Sequence, residues 1–454
     1  LQQHPPRAGA VAMIARGSSA ALIALAVGGA VLAGCGGSST TTTALKGVGA
    51  KTCGDVEYGG DGRPRALIVS DLPMRGDSAD RSRQQVEAIR LELERSNWKA
   101  GPTTVGFQDC DDSISRTGLW DAAVCRANAR AYADDPRAVG VIGTYNSGCA
   151  AEEIPILNRA GVVMVSPGNT AVCLTERSPL CDSGQPRSLY PTGQRTYARV
   201  VPNDAFQGAA LAEFAQEEGV TRPFVLYAAS DPTSFGQAAN FRAAAEDIGM
   251  RLAGYASWNA KARSYTSLFE RVKSSGADAV VLAGLIEENG AELIRDKALA
   301  LGPSGGFPVF AFDGFAQQAT IDGVGGAARG MFASLPGRAP QKLREGGATL
   351  VGDLQDEIGD EPVEQFAPAA GEAAGVMLGA LAAAGPHRAG MVKAVFVTKG
   401  GGIIGRYRLE PSGDPSVGPV TILRAESSFV PVREIRPDPA TVTAARKNAS
   451  PAVR

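Results

Sequence analysis

The sequence has 454 residues, of which 44% are hydrophobic, 20% charged and 6% aromatic, and its formal net charge is -2. One hydrophobic core stops growing at roughly 250–300 residues, so two lobes are expected, and a soluble composition with a small negative charge gives no footprint for nucleic acid. Only His4 and His387 occur. That leaves nothing for a multi-histidine metal site and almost nothing for a histidine base, so no metal, no cofactor and no catalysis are expected.

In chain order, the first feature is an apolar stretch over 19–34, preceded by Arg16 and ending Leu32-Ala33-Gly34-Cys35. Its core of about 15 residues suits an export signal better than a membrane span. The stretch resembles a bacterial lipoprotein signal, which implies cleavage before Cys35 and lipid on that residue. Residues 1–34 would be the signal peptide and 35–60 a lipidated, Ser/Thr-rich tether. An uncleaved anchor helix is the competing reading. No later segment offers 18 apolar residues in a row.

Six cysteines remain: Cys53, Cys110, Cys125, Cys149, Cys173 and Cys181. An even number in an exported chain suggests disulfides. Cys173 with Cys181 and Cys110 with Cys125 bracket short loops and are the expected local pairs, with Cys53 to Cys149 as the third. A four-cysteine zinc site lacks any Cys-x2-Cys spacing, and a catalytic cysteine lacks a nearby base.

From about 65 the chain alternates short β-branched runs with longer Ala-rich amphipathic stretches, the rhythm of a parallel sheet covered by helices. Strands are predicted at 66–70, 104–108, 138–142 and 162–166, with helices near 78–96, 121–134 and 149–159. A second series repeats the pattern, with strands at 224–228, 251–257, 279–283 and 308–312 and helices near 205–218, 236–248, 264–275 and 288–300. A helix over 366–384 and a segment over 388–397 follow, then β-rich stretches at 402–409 and 420–435. In open α/β sheets ligands bind beyond the carboxyl ends of strands. Small polar residues stand there, at Asn146-Ser147-Gly148, Ser166-Pro167-Gly168-Asn169-Thr170, Ser230-Asp231 and Asp313-Gly314.

The run Val141-Ile-Gly-Thr-Tyr-Asn-Ser-Gly-Cys-Ala150, continued by Ile154-Pro-Ile-Leu-Asn-Arg-Ala-Gly-Val-Val-Met-Val-Ser-Pro-Gly-Asn-Thr170, resembles the branched-chain amino-acid (Leu/Ile/Val) substrate-binding proteins of ABC transporters. These are type I periplasmic binding proteins. Tyr197-Ala-Arg-Val-Val-Pro202 with Asp204, Gln207 and Gly208, and Gly330-Met-Phe-Ala-Ser-Leu-Pro336, resemble that family's crossovers. The likeness spans about 65 to 410. It implies an α/β fold of two Rossmann-like lobes joined by three crossover segments near 202, 336 and 400, with the ligand cleft between them. The first lobe would hold 61–201 and 337–399, the second 202–336 and 400–438, with 439–454 as a tail.

The resemblance further implies ligand contacts. Ser147, Gly168 and Thr170 would hold a carboxylate and Asp313 an ammonium, with Asn169 of the same turn also at the ligand. Independently, the helix opening at 147 presents free amides and a dipole that favour an anion. Phe235 stands where the family often has tyrosine, and Asp313 where its best-known members have a longer glutamate; Phe235 and Phe366 could wall an apolar tail. The stretch 72–75 follows the first strand, and Arg75 there opens the option of an acidic ligand. Against these readings, Ser147, Thr170 and Asp313 are also residue types that cap helices and turns, and isolated phenylalanines more often pack in cores.

The function implied is an extracytoplasmic solute-binding lipoprotein, a monomer held on the outer face of the bacterial cytoplasmic membrane, that delivers an amino acid or similar solute to ABC permease and ATPase subunits. A binding protein that signals to a separate membrane receptor is the alternative. Gly302-Pro-Ser-Gly-Gly306 matches a hydrolase nucleophile pattern, but it follows a predicted helix and leads into a strand, the reverse of what that chemistry uses.

Overall fold

Two parallel sheets organise the chain. The computed structural model describes residues 45–113, 117–399 and 402–450. The signal peptide, Cys35, the first part of the tether and residues 400–401 at the expected third crossover lie outside them. Strands β1 (Ala66–Leu72), β2 (Lys99–Ala100), β3 (Thr103–Asp111), β4 (Ala138–Gly143), β5 (Val163–Ser166) and β6 (Tyr197–Arg199) form the first sheet, ordered β2-β3-β1-β4-β5-β6. All its pairings are parallel except the short β2–β3 turn. Strands β7 (Pro223–Ala228), β8 (Gly254–Trp258), β9 (Ala279–Ala283), β10 (Val309–Ala311), β11 (Phe332–Pro336), β12 (Val420–Ala425) and β13 (Phe429–Ile435) form the second, ordered β13-β12-β11-β10-β9-β7-β8. It is parallel from β8 to β11 and antiparallel beyond.

Every residue of β1, β4, β5 and β9 is buried. Strands covered on both faces read as continuous apolar runs, which is why these were legible in the sequence. Helices α1 (Ala79–Arg95), α2 (Ala122–Asp134) and α3 (Ser147–Ala160) cover the first sheet. Around the second lie α4 (Asp204–Glu217), α5 (Pro232–Asp247), α6 (Thr266–Ser274), α7 (Gly290–Leu301) and α8 (Gln318–Val324). Side-chain caps fix several starts: Asp121 accepts from the Ala123 and Val124 amides, Asn203 from Ala205 and Asp231 from Ser234. The chain then returns to the first sheet with α9 (Gly346–Ile358), α10 (Ala367–Ala384) and α11 (Arg388–Phe396). Helix α10 is long and apolar enough to cross a membrane, yet 67% of it is buried, packed on α1 and across β4 and β5. It is a core helix.

Several expectations change. Residues 402–409 form no strand; Leu409 makes only an isolated bridge to Pro415. The tail is helical, with α12 (Pro439–Lys447) capped by Asp438 and docked on α4 and α5 through Val442 and Ala445. The tether expected to run to 60 is tied down earlier: the Val48 amide donates to Gln108 Oε1 at 2.9 Å, and the Gly54 and Glu57 amides donate to β3 carbonyls. Those bonds cover the exposed edge of β3.

The disulfides also differ. Cys173 pairs with Cys181 as expected, but Cys110 pairs with Cys53 and Cys125 with Cys149. The reason is spatial: the 52–57 segment runs antiparallel to β3, setting Cys53 opposite Cys110, while α2 and α3 pack side by side. Ligand-type atoms of Asp112, Cys125 and Cys149 lie within 4.8 Å of one another, but both sulfurs belong to the disulfide. Neither is available as a thiolate ligand.

Candidate ligand-binding site

The strand order of the first sheet reverses at β1, so a crevice opens between the carboxyl ends of β1 and β4. The turn after β4 leads into α3, and the turn after β5 lies against it. Ser147, the first residue of α3, accepts the Thr170 and Ala171 amides on Oγ at 3.2 and 3.1 Å. With its lone pairs occupied, the hydroxyl keeps its own proton to donate. Ser166 Oγ accepts the Gly168 and Asn169 amides at 3.1 and 2.8 Å and donates to the Thr144 carbonyl. Asn169 is fully engaged: its amide donates to the Thr144 and Tyr145 carbonyls, both at 2.8 Å, and its Oδ1 accepts from the Tyr197 hydroxyl at 3.1 Å. Gly168 and Asn169 therefore fasten the two turns together. A Cβ on Gly168 would sit 2.7 Å from the Tyr145 ring, so only glycine lets that ring lie against the turn.

On the second sheet Asp313 follows β10 and is buried. Its Oδ1 accepts from the side-chain amides of Gln207 and Gln237 at 2.9 and 3.0 Å, and Gln207 in turn accepts from Ser334. Asp204, at the start of α4, donates its amide to the Thr170 carbonyl at 2.8 Å. Burial and the nearby Asp313 charge push the Asp204 carboxyl up to about 8. The structure thus brings Ser147, Thr170 and Asp313 together: Ser147 holds Thr170, Thr170 holds Asp204, and Asp204 lies beside Asp313.

Across the gap between sheets stands Arg81, on the first turn of α1 and 1% exposed. Its Nη1 donates to Glu287 Oε1 at 3.2 Å and to Gln317 Oε1 at 2.7 Å, both from the second lobe. Ser78 donates to the same Glu287 oxygen at 2.5 Å, and the Gln318 amide to Glu364 at 3.0 Å. The guanidinium lies 3.7 Å from the centroid of the Tyr145 ring. Phe366 meets that ring edge-on, centroids 5.2 Å apart. Trp120 rests on Gly148 at the start of α3. Several buried polar atoms here have no partner among the described residues: Arg81 Nε and Nη2, the Tyr145 hydroxyl, Asn146 Oδ1, Glu287 Oε2 and Asp204 Oδ2.

Two further residues singled out in the sequence have protein partners of their own. Phe235 is half-buried on α5 and packs edge-on against Tyr227, centroids 5.4 Å apart, on the side of the second sheet that carries Tyr255. Arg75 is half-exposed and paired with Asp111 at 2.6 Å. Nothing in the sequence singled out Arg81, Glu287, Gln237 or Gln317, although Glu287 closely follows the end of β9. Ser304 of the hydrolase-like motif sits in a helix-to-strand turn between α7 and β10, where no nucleophile elbow forms.

Buried acids give the fold a pH signature. Burial raises Asp71 to about 6 and holds Asp112 and Glu153 beside it well above the carboxylate range. Burial likewise raises Asp313 to about 6, Glu364 to about 7 and Glu288 to about 7. Folded carboxyls that hold protons longer than unfolded ones give stability that is complete below the unfolded value near 4. It is lost as pH rises from there up through the folded values of about 6 to 8. Chemical denaturation is expected to give a higher unfolding free energy at pH 5 than at pH 8, with Asp71→Asn reducing the difference; stability that rises with pH over that range would contradict these placements.

A family model described as periplasmic binding protein matches residues 72–415. The chain belongs to that family. No relative among the curated proteins matches it. Among solved structures, a leucine-binding protein, LivK, of Thermotoga maritima is 22% identical, with a TM-score of 0.71 over 82% of this chain and 99% of that one. A Rhodopseudomonas palustris solute-binding protein of an ABC transporter, in complex with p-hydroxybenzoic acid, is 16% identical, with a TM-score of 0.69 over 82% and 98%. The branched-chain amino-acid binding protein LivJ of Streptococcus pneumoniae, in complex with isoleucine, is 14% identical, with a TM-score of 0.68 over 81% and 99%. These likenesses place the periplasmic binding protein's two sheets in the type I fold.

Proposed function

We propose that this periplasmic binding protein captures a small carboxylate-bearing solute, an amino acid first among them, outside the cytoplasm and hands it to an ABC importer while anchored by lipid on Cys35. The observation that carries the reading is the set of buried, unpartnered polar atoms where the two lobes meet, beside Ser147 and Asp313. Unsatisfied buried polar groups are costly in folded proteins, and those on Arg81, Tyr145, Asn146 and Glu287 call for a partner. The Ser147 hydroxyl and the first amides of α3 suit a carboxylate, and Asp313 suits an ammonium. The relatives that hold leucine-type amino acids or aromatic acids support the same class. The two lobes would close on the solute by hinging at the crossovers, and the protein would do no chemistry.

A thermal-shift screen of the purified protein against amino acids, uncharged amides and aromatic acids tests this. A ligand that binds only the folded state adds about 2.7 kcal/mol at 100 times its Kd, so a carboxylate-bearing solute is expected to raise Tm, and to raise it further the tighter it binds. Stabilisation by amides alone would remove the roles given to Ser147 and Asp313.

A further inference from the structure

Arg81 carries an arrangement that a leucine-type solute would leave unused. A cation in the first turn of a helix opposes the helix dipole, and burying it deepens the cost. Arg81 nonetheless sits three residues into α1 at 1% exposure. Its partners are Glu287 and Gln317, both on Nη1, and the Tyr145 ring beneath its plane. The two atoms left without partners are Nε and Nη2. These share one edge of the guanidinium and point two N–H bonds in parallel, the fork that a carboxylate fits in bidentate fashion. Glu287 Oε2 and the Tyr145 hydroxyl are also unpartnered and buried.

We infer that the free Nε–Nη2 edge of Arg81 receives a second acidic group of the solute, so that the ligand is an acidic amino acid or a short dicarboxylate rather than a branched-chain amino acid. The inference rests on the solute-binding reading above. One carboxylate lies at Ser147 and the start of α3, and the second lies on Arg81 above Tyr145. Arg75, the basic residue conspicuous in the sequence, is already paired with Asp111 and takes no part. Glu364 lies close to Arg81, but burial raises it to about 7, which weakens its claim on the guanidinium. Because Glu287 and Gln317 come from the second lobe, a solute on Arg81 would also steady the contact that holds the lobes together.

Calorimetry on the purified full-length protein tests this with L-glutamate, L-aspartate, succinate and glutarate against the neutral partners L-glutamine, L-asparagine and L-leucine. At least one acidic solute is expected to bind roughly 100-fold or more tighter than its neutral partner, since a buried site built for a polar group strongly rejects an analogue that leaves it unpaired. Arg81→Gln should cut the ratio of acidic to neutral affinity by at least about tenfold, whatever it does to the neutral solutes themselves. Arg81→Lys keeps the charge but not the parallel fork, so it should lose at least about tenfold, and it serves if the glutamine variant fails to fold. Tight binding of leucine or benzoate that Arg81→Gln leaves unchanged would make Arg81 a latch between lobes and overturn the inference, with the solute-binding reading intact. If no carboxylate of any kind binds, both fall.

Discussion

Replacing Asp414 with alanine is expected to destabilise the folded protein by about 3–5 kcal/mol, the usual effect of stripping one partner from a buried ion pair. Arg199, at the end of β6, is fully buried and its Nε meets Asp414 at 2.6 Å. Its other nitrogens donate to the Asn169 and Ala171 carbonyls at 3.2 and 2.9 Å and to Thr175 Oγ1 at 2.6 Å, and Thr175 donates on to Asp414 at 2.9 Å. Without Asp414 the guanidinium charge has no counterion and the turn carrying Thr170 loses its brace. Asp414→Asn keeps an acceptor and should cost less. Urea denaturation reads the difference directly, and a loss under about 1 kcal/mol for the alanine variant would show that the pair is not what holds this turn.

Asp313→Asn is expected to weaken any ammonium-bearing solute by about 2–5 kcal/mol, roughly 30-fold or more, while leaving stability nearly unchanged. Asparagine still offers an oxygen to Gln207 and Gln237, so their hydrogen bonds survive. Only the charge is lost. Because burial sets the Asp313 carboxyl at about 6, binding of an amino acid should also weaken as pH falls through that value. A carboxylic acid without an ammonium should respond to neither change. Equal affinity for an amino acid in Asp313→Asn and the parent protein, measured by calorimetry, would remove the ammonium role.

The legible parts of this fold are those where one residue pattern has one physical outcome. Strands β1, β4, β5 and β9 are buried on both faces, and the apolar runs that make up most of each said so. Ser147 and Thr170 were legible because small polar residues at strand ends mark the mouth of an α/β sheet. What depended on the third dimension was not. Cys110 faces Cys53 because an irregular segment with no sequence period lies along β3. The packing of Phe235 on Tyr227 likewise depends on how α5 sits against β7. Arg81 reads in sequence as one more charge on the solvent face of an amphipathic helix, and only the packing of Tyr145, Glu287 and Gln317 around it shows that it faces inward. Helix α12 did carry a signal, the Asp438-Pro439 start, but its short polar-rich sequence matches an exposed tail equally well.

A crystal structure of the complex with the tightest-binding solute would test the account most directly. The account predicts one molecule held between the sheets, a carboxylate within hydrogen-bond reach of Ser147 Oγ and its far side turned toward Asp313 and Arg81. A solute bound against one lobe alone, away from all three side chains, would contradict it.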